Sequence, residues 1–283
     1  MDAVKQLYKV LTECECVVIG AGSGLSSSAG YEYSGEEFEK NFKDFIDKFG
    51  FTDLYSASFY EFDNEREKWA FWSRFIYQNR YVMPQKPVYA NLLKLIKDKD
   101  YFVITTNVDH VFQRSGFDKQ RLFYTQGDYG LWQCATPCHN KTYDNEKQVL
   151  QMIDEQNNMQ IPEYLVPHCP VCGGKMEANL RKDDTFVQDK GWYNASLRYR
   201  DFIEKHQDGK VLYWDLGTGM NTPAIFKYPF MKMTYENPLA TYASINLGQN
   251  VTAKAISDRS ILINQDIGKT LEELLKLQNS LNY

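Results

Sequence analysis

Six short apolar segments constrain the fold of this chain most, because each ends in, or is followed by, glycine, an amide or an acid. They are rich in β-branched and aromatic residues and too short for buried helices, so we interpret them as buried β-strands. Helical patterns lie between them, and this alternation is typical of a doubly wound parallel sheet, so we predict an α/β fold of that type. The segments are residues 16–20, 101–105, 123–127, 211–216, 242–248 and 260–266.

Polar side chains follow the second and third of these segments. Thr106, Asn107 and Asp109 come after the second, and Gln126 lies at the end of the third. In an open parallel sheet, the carboxyl ends of the strands form the edge where ligands bind. Amides and a carboxylate are weak nucleophiles, so these groups suit orienting a bound cofactor better than attacking a substrate. The alternative for Asn107 and Asp109 is a polar cap on the next helix, where both residue types are favoured.

The first segment runs into a glycine-rich turn at residues 20–24, with the sequence GAGSG. A strand that feeds such a turn is typical of dinucleotide sites, where glycines let the backbone approach a pyrophosphate and free N–H groups bind its oxygens. The alternative is an ordinary tight turn, because the pattern is not G-x-G-x-x-G and no acidic ribose partner follows about twenty residues later. A second glycine-rich turn lies at residues 217–224.

Four of the six cysteines form two close pairs. Three residues separate Cys134 from Cys138, two separate Cys169 from Cys172, and about thirty lie between the pairs. Two such pairs are the ligand set of a tetrahedral structural zinc site, which leaves no open position for water. Such a metal would hold a small module together and do no chemistry. The alternative is four unrelated free thiols.

Composition and length restrict the class of protein. The chain has 283 residues, a net charge of −5 and a pI near 5.5, which argues against general nucleic-acid binding. We find no apolar run of a signal peptide and no segment long enough for a membrane helix. We therefore expect a cytoplasmic protein whose cysteines are thiols or metal ligands.

The same patterns predict two domains and one insertion. Residues 1–130 and 181–283 are expected to form the sheet domain, and residues 131–180 the zinc-binding module. Between about 36 and 98, aromatic residues recur at helical spacing without a convincing strand, which predicts a helical insertion that uses them for core packing.

Seven motifs in order resemble those of the sirtuins, NAD-dependent enzymes with a Rossmann-like sheet and a small zinc-bearing module. They are GAGSG at 20–24, TTNVD at 105–109, QG at 126–127, the paired cysteines, GTGMNTPA at 217–224, SINLG at 244–248 and NQD at 264–266. The resemblance covers nearly the whole chain. It implies a Rossmann-like NAD-binding domain and a structural Zn²⁺.

The resemblance also implies which residues contact NAD. It places Ala21, Gly22 and Tyr33 near the phosphates, ribose and nicotinamide, and Asn107 and Asp109 around the nicotinamide ribose and carboxamide. The residues implied for the adenosine half are Gly217, Thr218, Asn221, Asn246, Leu247, Asp266 and Ile267. The full set of expected contacts adds Gly20, Leu25, Thr106, Gln126 and Gly219.

Three departures from sirtuin deacylases decide the expected reaction. Gln126 stands where deacylases carry the histidine that deprotonates a ribose hydroxyl, and an amide has no titratable group near neutral pH. Ser34 replaces a usual arginine. Residues 185–189, TFVQD, stand where the deacylase strand after the module ends in Phe-Gly-Glu and pairs with an acyl-lysine peptide. In these respects the chain is similar to the class M sirtuins, which are encoded beside a macrodomain protein and act as protein ADP-ribosyltransferases.

That resemblance implies transfer of ADP-ribose from NAD to a lipoyl-carrier protein similar to the glycine-cleavage H protein, with release of nicotinamide. Asn107 would orient the ribose and nicotinamide, Asp109 would anchor its loop, and Gln126 would hydrogen-bond the ribose hydroxyls or the acceptor. Such a site relies on preorganised polar groups more than on a strong base. The alternatives are a deacylase with another base and a catalytically silent NAD-binding scaffold. Neither nucleic acid nor a membrane is an expected partner.

Overall fold

The computed structural model describes residues 2–220, 222–248 and 250–280, and within them the chain forms nine β-strands and eleven α-helices. The strands are β1 Cys16–Ala21, β2 Asp100–Thr105, β3 Leu122–Tyr124, β4 Gly127–Cys134, β5 Tyr143–Asp144, β6 Met176–Leu180, β7 Val211–Leu216, β8 Thr241–Ile245 and β9 Ser260–Ile263. The helices are α1 Ala3–Glu13, α2 Ser23–Ser28, α3 Glu36–Phe49, α4 Leu54–Ala57, α5 Glu65–Ile76, α6 Val88–Ile96, α7 Val111–Arg114, α8 Glu146–Glu155, α9 Lys190–His206, α10 Lys227–Glu236 and α11 Ile267–Ser280. A π-helical turn, Tyr77–Tyr81, extends α5. None of the described helices combines the length and apolar character needed to cross a membrane.

Six strands form one parallel sheet in the order β3-β2-β1-β7-β8-β9. The chain first builds outward from β1 to β3 and later returns to the other side of β1 with β7. This reversal of the strand order is where open α/β sheets bind ligands. The predicted doubly wound parallel sheet is confirmed, and each of the six predicted segments contributes one of its strands.

The two faces of the sheet carry separate apolar cores. On β1, Val17 and Ile19 join the core beneath α1, α6 and α11, whereas Cys16 and Val18 join the core beneath α9 and α10. A parallel strand covered on both faces needs an unbroken apolar run rather than an alternating one. This is why the strand segments are continuous apolar stretches in the sequence.

The chain leaves the large sheet sooner than the third predicted segment indicates. β3 ends at Tyr124, Gln126 lies in the following turn, and Gly127 begins β4 of a second sheet. Gly127 has a φ of +97°, and a Cβ on it would lie 1.8 Å from the carbonyl oxygen of Asn179. Only glycine fits this turn. Gln126 therefore sits where the chain passes from one sheet to the other.

The second sheet is antiparallel, in the order β5-β4-β6, and it packs with α3, α5 and α8 around an aromatic core. Trp69 of α5 meets Trp132 of β4 with ring centroids 5.0 Å apart. Residues 36–98, all of them described, contain α3 to α6 and no strand. Their packing divides, because α3 and α5 share this aromatic core while α6 packs under the large sheet. The domain limits at 130 and 180 stay a prediction.

The expectation of a strand at residues 185–189 is wrong. The strand that follows the four cysteines is β6, and residues 185–189 form a loop. Gln133 of β4 holds this loop, because its Nε2 donates to the carbonyl oxygen of Thr185 over 2.9 Å. Its Oε1 accepts the N–H of Val187, also over 2.9 Å. One side chain thus takes two backbone groups that a strand would offer to a neighbour.

A methyl group at position 20 should disturb the packing of β1 against α10. In Gly20→Ala the new Cβ would lie 2.2 Å from Cδ2 of Phe226 and 2.8 Å from Cε2 of Phe230. We expect the free energy of unfolding, measured with denaturant, to fall by about 1–3 kcal/mol, the usual cost of overpacking. Gly20→Ala combined with Phe226→Leu should be less unstable than the sum of the single variants, since leucine makes room for the methyl group. Strict additivity would contradict this account of Gly20.

Candidate active site

The loops after β1 and β7 touch where the strand order reverses. The N–H of Gly22 donates to the carbonyl oxygen of Leu216 over 3.0 Å. The N–H of Gly24 donates to the carbonyl oxygen of Gly217 over 3.0 Å. Gly217 has a φ of +74°, and a Cβ on it would lie 2.6 Å from the Cα of Gly24. The contact itself therefore requires glycine, and it uses two N–H donors that a phosphate could otherwise bind.

The other residues expected near the glycine turn lie in the protein interior. Gly20, Ala21 and Leu25 are buried, and Leu25 belongs to the core beneath α1, α6 and α11. The carbonyl oxygen of Ala21 accepts the N–H of Thr106 over 3.1 Å, which joins the turn to the end of β2. A ligand here would meet backbone groups rather than these buried side chains.

Asp215 of β7 organises the loop that follows it. The hydroxyl of Thr218 donates to Oδ1 of Asp215 over 2.6 Å, and Nζ of Lys227 lies 3.2 Å from Oδ2. Both charged side chains are fully buried. Asn246, after β8, donates its Nδ2 to the carbonyl oxygen of Thr218 over 3.0 Å. The structure therefore brings Thr218 and Asn246 together at the carboxyl edge of the sheet.

The remaining residues expected around adenosine have diverse surroundings. Leu247 is exposed, and Gly219 lies in the loop after β7. Asp266 accepts a backbone N–H of α11 over 3.0 Å, so helix capping accounts for it without a ligand. Ile267 is buried in the core beneath the large sheet. Asn221 lies outside the described residues.

Asn107 and Asp109 meet in one hydrogen-bonded network after β2. Nδ2 of Asn107 donates to the carbonyl oxygen of Gly22 and to Oγ of Ser26, each over 3.0 Å. Ser26 donates its hydroxyl to Oδ2 of Asp109 over 2.5 Å, and the N–H of Val111 donates to Oδ1 over 3.0 Å. Burial raises the pKa of the Asp109 carboxyl. The two predicted residues are thus joined through Ser26, and Asp109 also binds the start of α7, as the capping alternative expects.

Two tyrosines complete the surroundings of Asp109. The hydroxyl of Tyr89, on α6, lies 2.8 Å from Oγ of Ser26. Burial, and then the charge of Asp109, raise the pKa of Tyr89 and the pKa of Tyr33. Sequence reasoning missed Ser26, although it lies in the small hydroxylated run after the glycine turn. It also missed Tyr89, whose helical stripe indicates only core packing.

Gln126 lines a cleft of about 630 Å³ between the turn after β3, the segment after β6 and α9. Its carbonyl oxygen accepts the N–H of Arg181 over 2.9 Å. The Arg181 guanidinium lies 4.5 Å from the ring centroid of Phe186 and 5.6 Å from that of Trp192. Sequence reasoning missed Arg181, which stands in a polar stretch without a periodic signal.

A cavity of about 590 Å³ between α5 and the segment before α6 contains none of the predicted site residues.

The four paired cysteines converge beside the small sheet. Their Sγ atoms all lie within 4.8 Å of one another, with 3.7 Å between Cys134 and Cys172 and between Cys138 and Cys169. Thiolates about 2.3 Å from one zinc ion would be about 3.8 Å apart, so this donor set fits tetrahedral Zn²⁺. The N–H of Cys169 donates to the carbonyl oxygen of Gly174 over 2.7 Å and closes the second pair into a tight turn. A metal here would tie the end of β4 to the segment before β6.

The chain has relatives among curated proteins, although no protein-family model matches it. It is 38% identical over 271 residues to a protein ADP-ribosyltransferase of Staphylococcus aureus strain Mu50. The matched residues cover 95% of this chain and 86% of that protein. The chain belongs to this protein ADP-ribosyltransferase family. It is also 28% identical over 237 residues to a probable bifunctional ADP-ribose hydrolase/ADP-ribosyltransferase of Fusarium oxysporum f. sp. cubense, which covers 77% of this chain and 38% of that protein.

Solved structures show which fold this chain adopts. A structure concerned with the mechanism and regulation of Sir2 enzymes has a TM-score of 0.62 at 18% identity, with 99% of each chain covered. A Sir2 structure with a p53 peptide and NAD⁺ has a TM-score of 0.57 at 18% identity, with 98% of each chain covered. The expected sirtuin fold is confirmed. Membership of class M stays a prediction.

We expect this protein to bind one zinc ion per chain. Cys169→Ser should lower the zinc content, measured by elemental analysis, to less than half of the wild-type value and should unfold the small module, because zinc binding and folding are coupled. Cys14→Ser makes the same change at a buried cysteine outside the set and should leave the metal content unchanged. Equal zinc in the wild type and Cys169→Ser, or none in the wild type, would contradict the assignment.

Asn107→Ala should reduce nicotinamide release from NAD by at least about a hundredfold, the scale expected when an orienting group is lost. The melting temperature should change little, because the side chain is only half-buried. Asn194→Ala, on the exposed face of α9, is the matched control and should release nicotinamide at the wild-type rate. If Asn107→Ala turns over NAD as fast as this control, Asn107 has been misassigned.

Proposed function

We propose that this protein transfers ADP-ribose from NAD to a side chain of an acceptor protein and releases nicotinamide. The observation that carries the proposal is the meeting of two strand ends, the Asn107–Asp109 turn after β2 and Gln126 after β3, since these strands pair directly. One end supplies a preorganised amide over a buried carboxylate. The other supplies an amide that cannot act as a base. The Staphylococcus aureus relative carries the name of this activity.

NAD would lie along the carboxyl edge of the large sheet, across the reversal between β1 and β7, in the domain assigned to residues 1–130 and 181–283. The nicotinamide ribose would lie against Tyr33, Thr106, Asn107, Asp109 and Gln126. The diphosphate would lie against Gly20, Ala21, Gly22 and Leu25, and the adenosine half against Gly217, Thr218, Gly219, Asn221, Asn246, Leu247, Asp266 and Ile267. Because the glycine turn already uses two N–H donors on the β7 side, the diphosphate must find other donors or part the two loops.

The reaction would break the bond between C1′ of the ribose and nicotinamide, whose nitrogen keeps the electron pair, and would join C1′ to an acceptor oxygen. Gly22 and Ser26 hold the Nδ2 of Asn107, which fixes its amide plane and leaves Oδ1 to accept from a ribose hydroxyl. A carboxylate acceptor is already ionised near pH 7 and needs no base. Arg181, in the same cleft as Gln126, would attract such an acceptor by charge.

For the acceptor we propose a lipoylated carrier protein resembling the glycine-cleavage H protein, and for a functional partner a macrodomain protein. Both proposals rest on the resemblance to class M sirtuins. The Fusarium oxysporum relative supports the second, because its name pairs ADP-ribose hydrolase with ADP-ribosyltransferase and this chain spans only 38% of it. We also propose a cytoplasmic location, because the four paired cysteines would stay reduced there and could bind zinc.

Wild-type protein incubated with labelled NAD should label a lipoylated carrier protein and should not deacetylate an acetyl-lysine peptide. A general base typically supplies on the order of 10²–10⁴ in rate, and Gln126 supplies none. Mass spectrometry of the carrier and the peptide measures both products. The unlipoylated carrier is the matched control, and its labelling at the same rate would remove lipoate from the proposal.

Gln126→His restores a base at position 126. It therefore separates two causes of low deacetylation, the missing base and the shape of the 185–189 loop. Deacetylation should stay low in this variant, because Gln133 still holds the 185–189 loop away from a strand-like arrangement. Efficient deacetylation by the wild type with no label on the carrier would overturn the proposed transfer. Absence of both products and of nicotinamide release would favour the silent scaffold.

A further inference from the structure

Three charged or titratable side chains meet behind the Asn107–Asp109 turn, and none of them has a part in the chemistry described above. Asp128, at the start of β4, is 4% exposed. Nε of Arg80 lies 2.7 Å from its Oδ1, and Nδ1 of His110 bonds its Oδ2. Arg80 lies on the π-helical turn after α5, and His110 follows Asp109 directly. The cluster therefore joins the helical segment, the small sheet and the turn after β2.

The backbone at His110 shows why this cluster matters for its neighbours. His110 has a φ of +62°, in the left-handed region that glycine adopts freely and that other residues adopt uncommonly, although histidine is one of those enriched there. The turn at His110 comes between Asp109, whose Oδ2 accepts from Ser26, and Val111, whose N–H donates to Oδ1 of Asp109. A change of φ at His110 would move the Asp109 carboxylate relative to both donors.

Two further contacts fasten the same segments together. The N–H of Tyr129 donates to the carbonyl oxygen of Val108 over 2.9 Å. The N–H of Gly130 donates to Oδ1 of Asp128 over 2.7 Å, and a Cβ on Gly130 would lie 2.6 Å from Nε of Arg80. Glycine at this position is therefore what lets Arg80 reach the carboxylate.

Asp128 remains a charged group in this buried position. Burial alone would raise the pKa of its carboxyl, but the hydrogen bond from His110 and the charges of His110 and Arg80 hold the pKa below its ordinary value. A buried carboxylate that loses one partner would leave an uncompensated charge, so the three side chains depend on one another.

We propose that His110, Asp128 and Arg80 are positioning residues for the cleavage of NAD: they hold the turn that carries Asn107 and Asp109 in its reactive arrangement. The inference rests on the proposed function. Because β4, Gly127–Cys134, carries both Asp128 and the first of the paired cysteines, the cluster also makes the geometry of the cleavage site depend on the position of the small sheet.

The test compares variants that separate the backbone from the side chain at position 110. His110→Gly keeps the left-handed conformation without strain but removes the bond to Asp128. His110→Asn also tolerates that conformation and can still donate to the carboxylate. We expect His110→Gly to lower kcat for nicotinamide release by about tenfold to a hundredfold with KM for NAD within about threefold of wild type. His110→Asn should recover most of that loss.

Asp128→Asn should lower kcat to a similar degree, and combining it with His110→Gly should cost little more than either change alone, because both remove one interaction. Asp100→Asn is the matched control, since Asp100 pairs with His206 at the opposite end of β2, with Nε2 of His206 3.1 Å from its Oδ2. That control should keep wild-type kcat.

Three outcomes would overturn the inference. The first is wild-type turnover of NAD by His110→Gly, and the second is a loss in His110→Asn as large as that in His110→Gly. The third is full additivity of His110→Gly and Asp128→Asn. If the wild type and His110→Gly release nicotinamide at the same rate, only the positioning role is wrong and the proposed function is unaffected. A wild type that releases no nicotinamide would remove both.

Discussion

The close approach of the β1 and β7 loops is the contact on which the rest of the site depends. Gly22 bonds to the segments on both sides of β1. Its N–H donates to the carbonyl oxygen of Leu216 on β7, and its carbonyl oxygen accepts from Nδ2 of Asn107 after β2. Three strands are thereby tied together at one edge by a residue that has no side chain. A larger residue at Gly24 or Gly217 would separate the loops, and the amide of Asn107 would lose its fixed partner.

In the proposed positioning role, the small sheet acts on this edge without supplying a reacting group. Its cysteines can hold a metal that has no open position, so its influence has to be mechanical. The route is short, because β4 starts beside Gln126 and carries Asp128 against His110. A module of this kind can set the shape of a turn that belongs to the other sheet, although its own core is separate.

The cleft beside Gln126 combines three features that bear on the proposed reaction. An amide replaces a base, a guanidinium supported by two aromatic rings lies next to it, and a glutamine side chain occupies the backbone groups of the loop behind. These features agree with the proposed transfer to a carboxylate, since an acceptor that is already ionised needs no base to remove a proton.

Local chemistry made much of this protein predictable. Apolar runs covered on both faces specify parallel strands, paired cysteines specify a metal-binding set, and Asn107 and Asp109 follow a strand end where ligands bind. Each of these signals lies within a few residues of the chain. These local signals are enough to predict the parallel sheet, the cysteine set and the polar residues at the sheet edge.

The groups that support those residues become visible only in the folded structure. Ser26 meets Asp109 from 83 positions away, and Arg80 meets Asp128 from 48 positions away. The loop at 185–189 owes its shape to Gln133, which lies 52 positions before Thr185. The physical reason is that a hydrogen bond depends on where two segments come to lie after the chain has crossed between sheets. Periodic patterns along the sequence do not predict such contacts between distant segments.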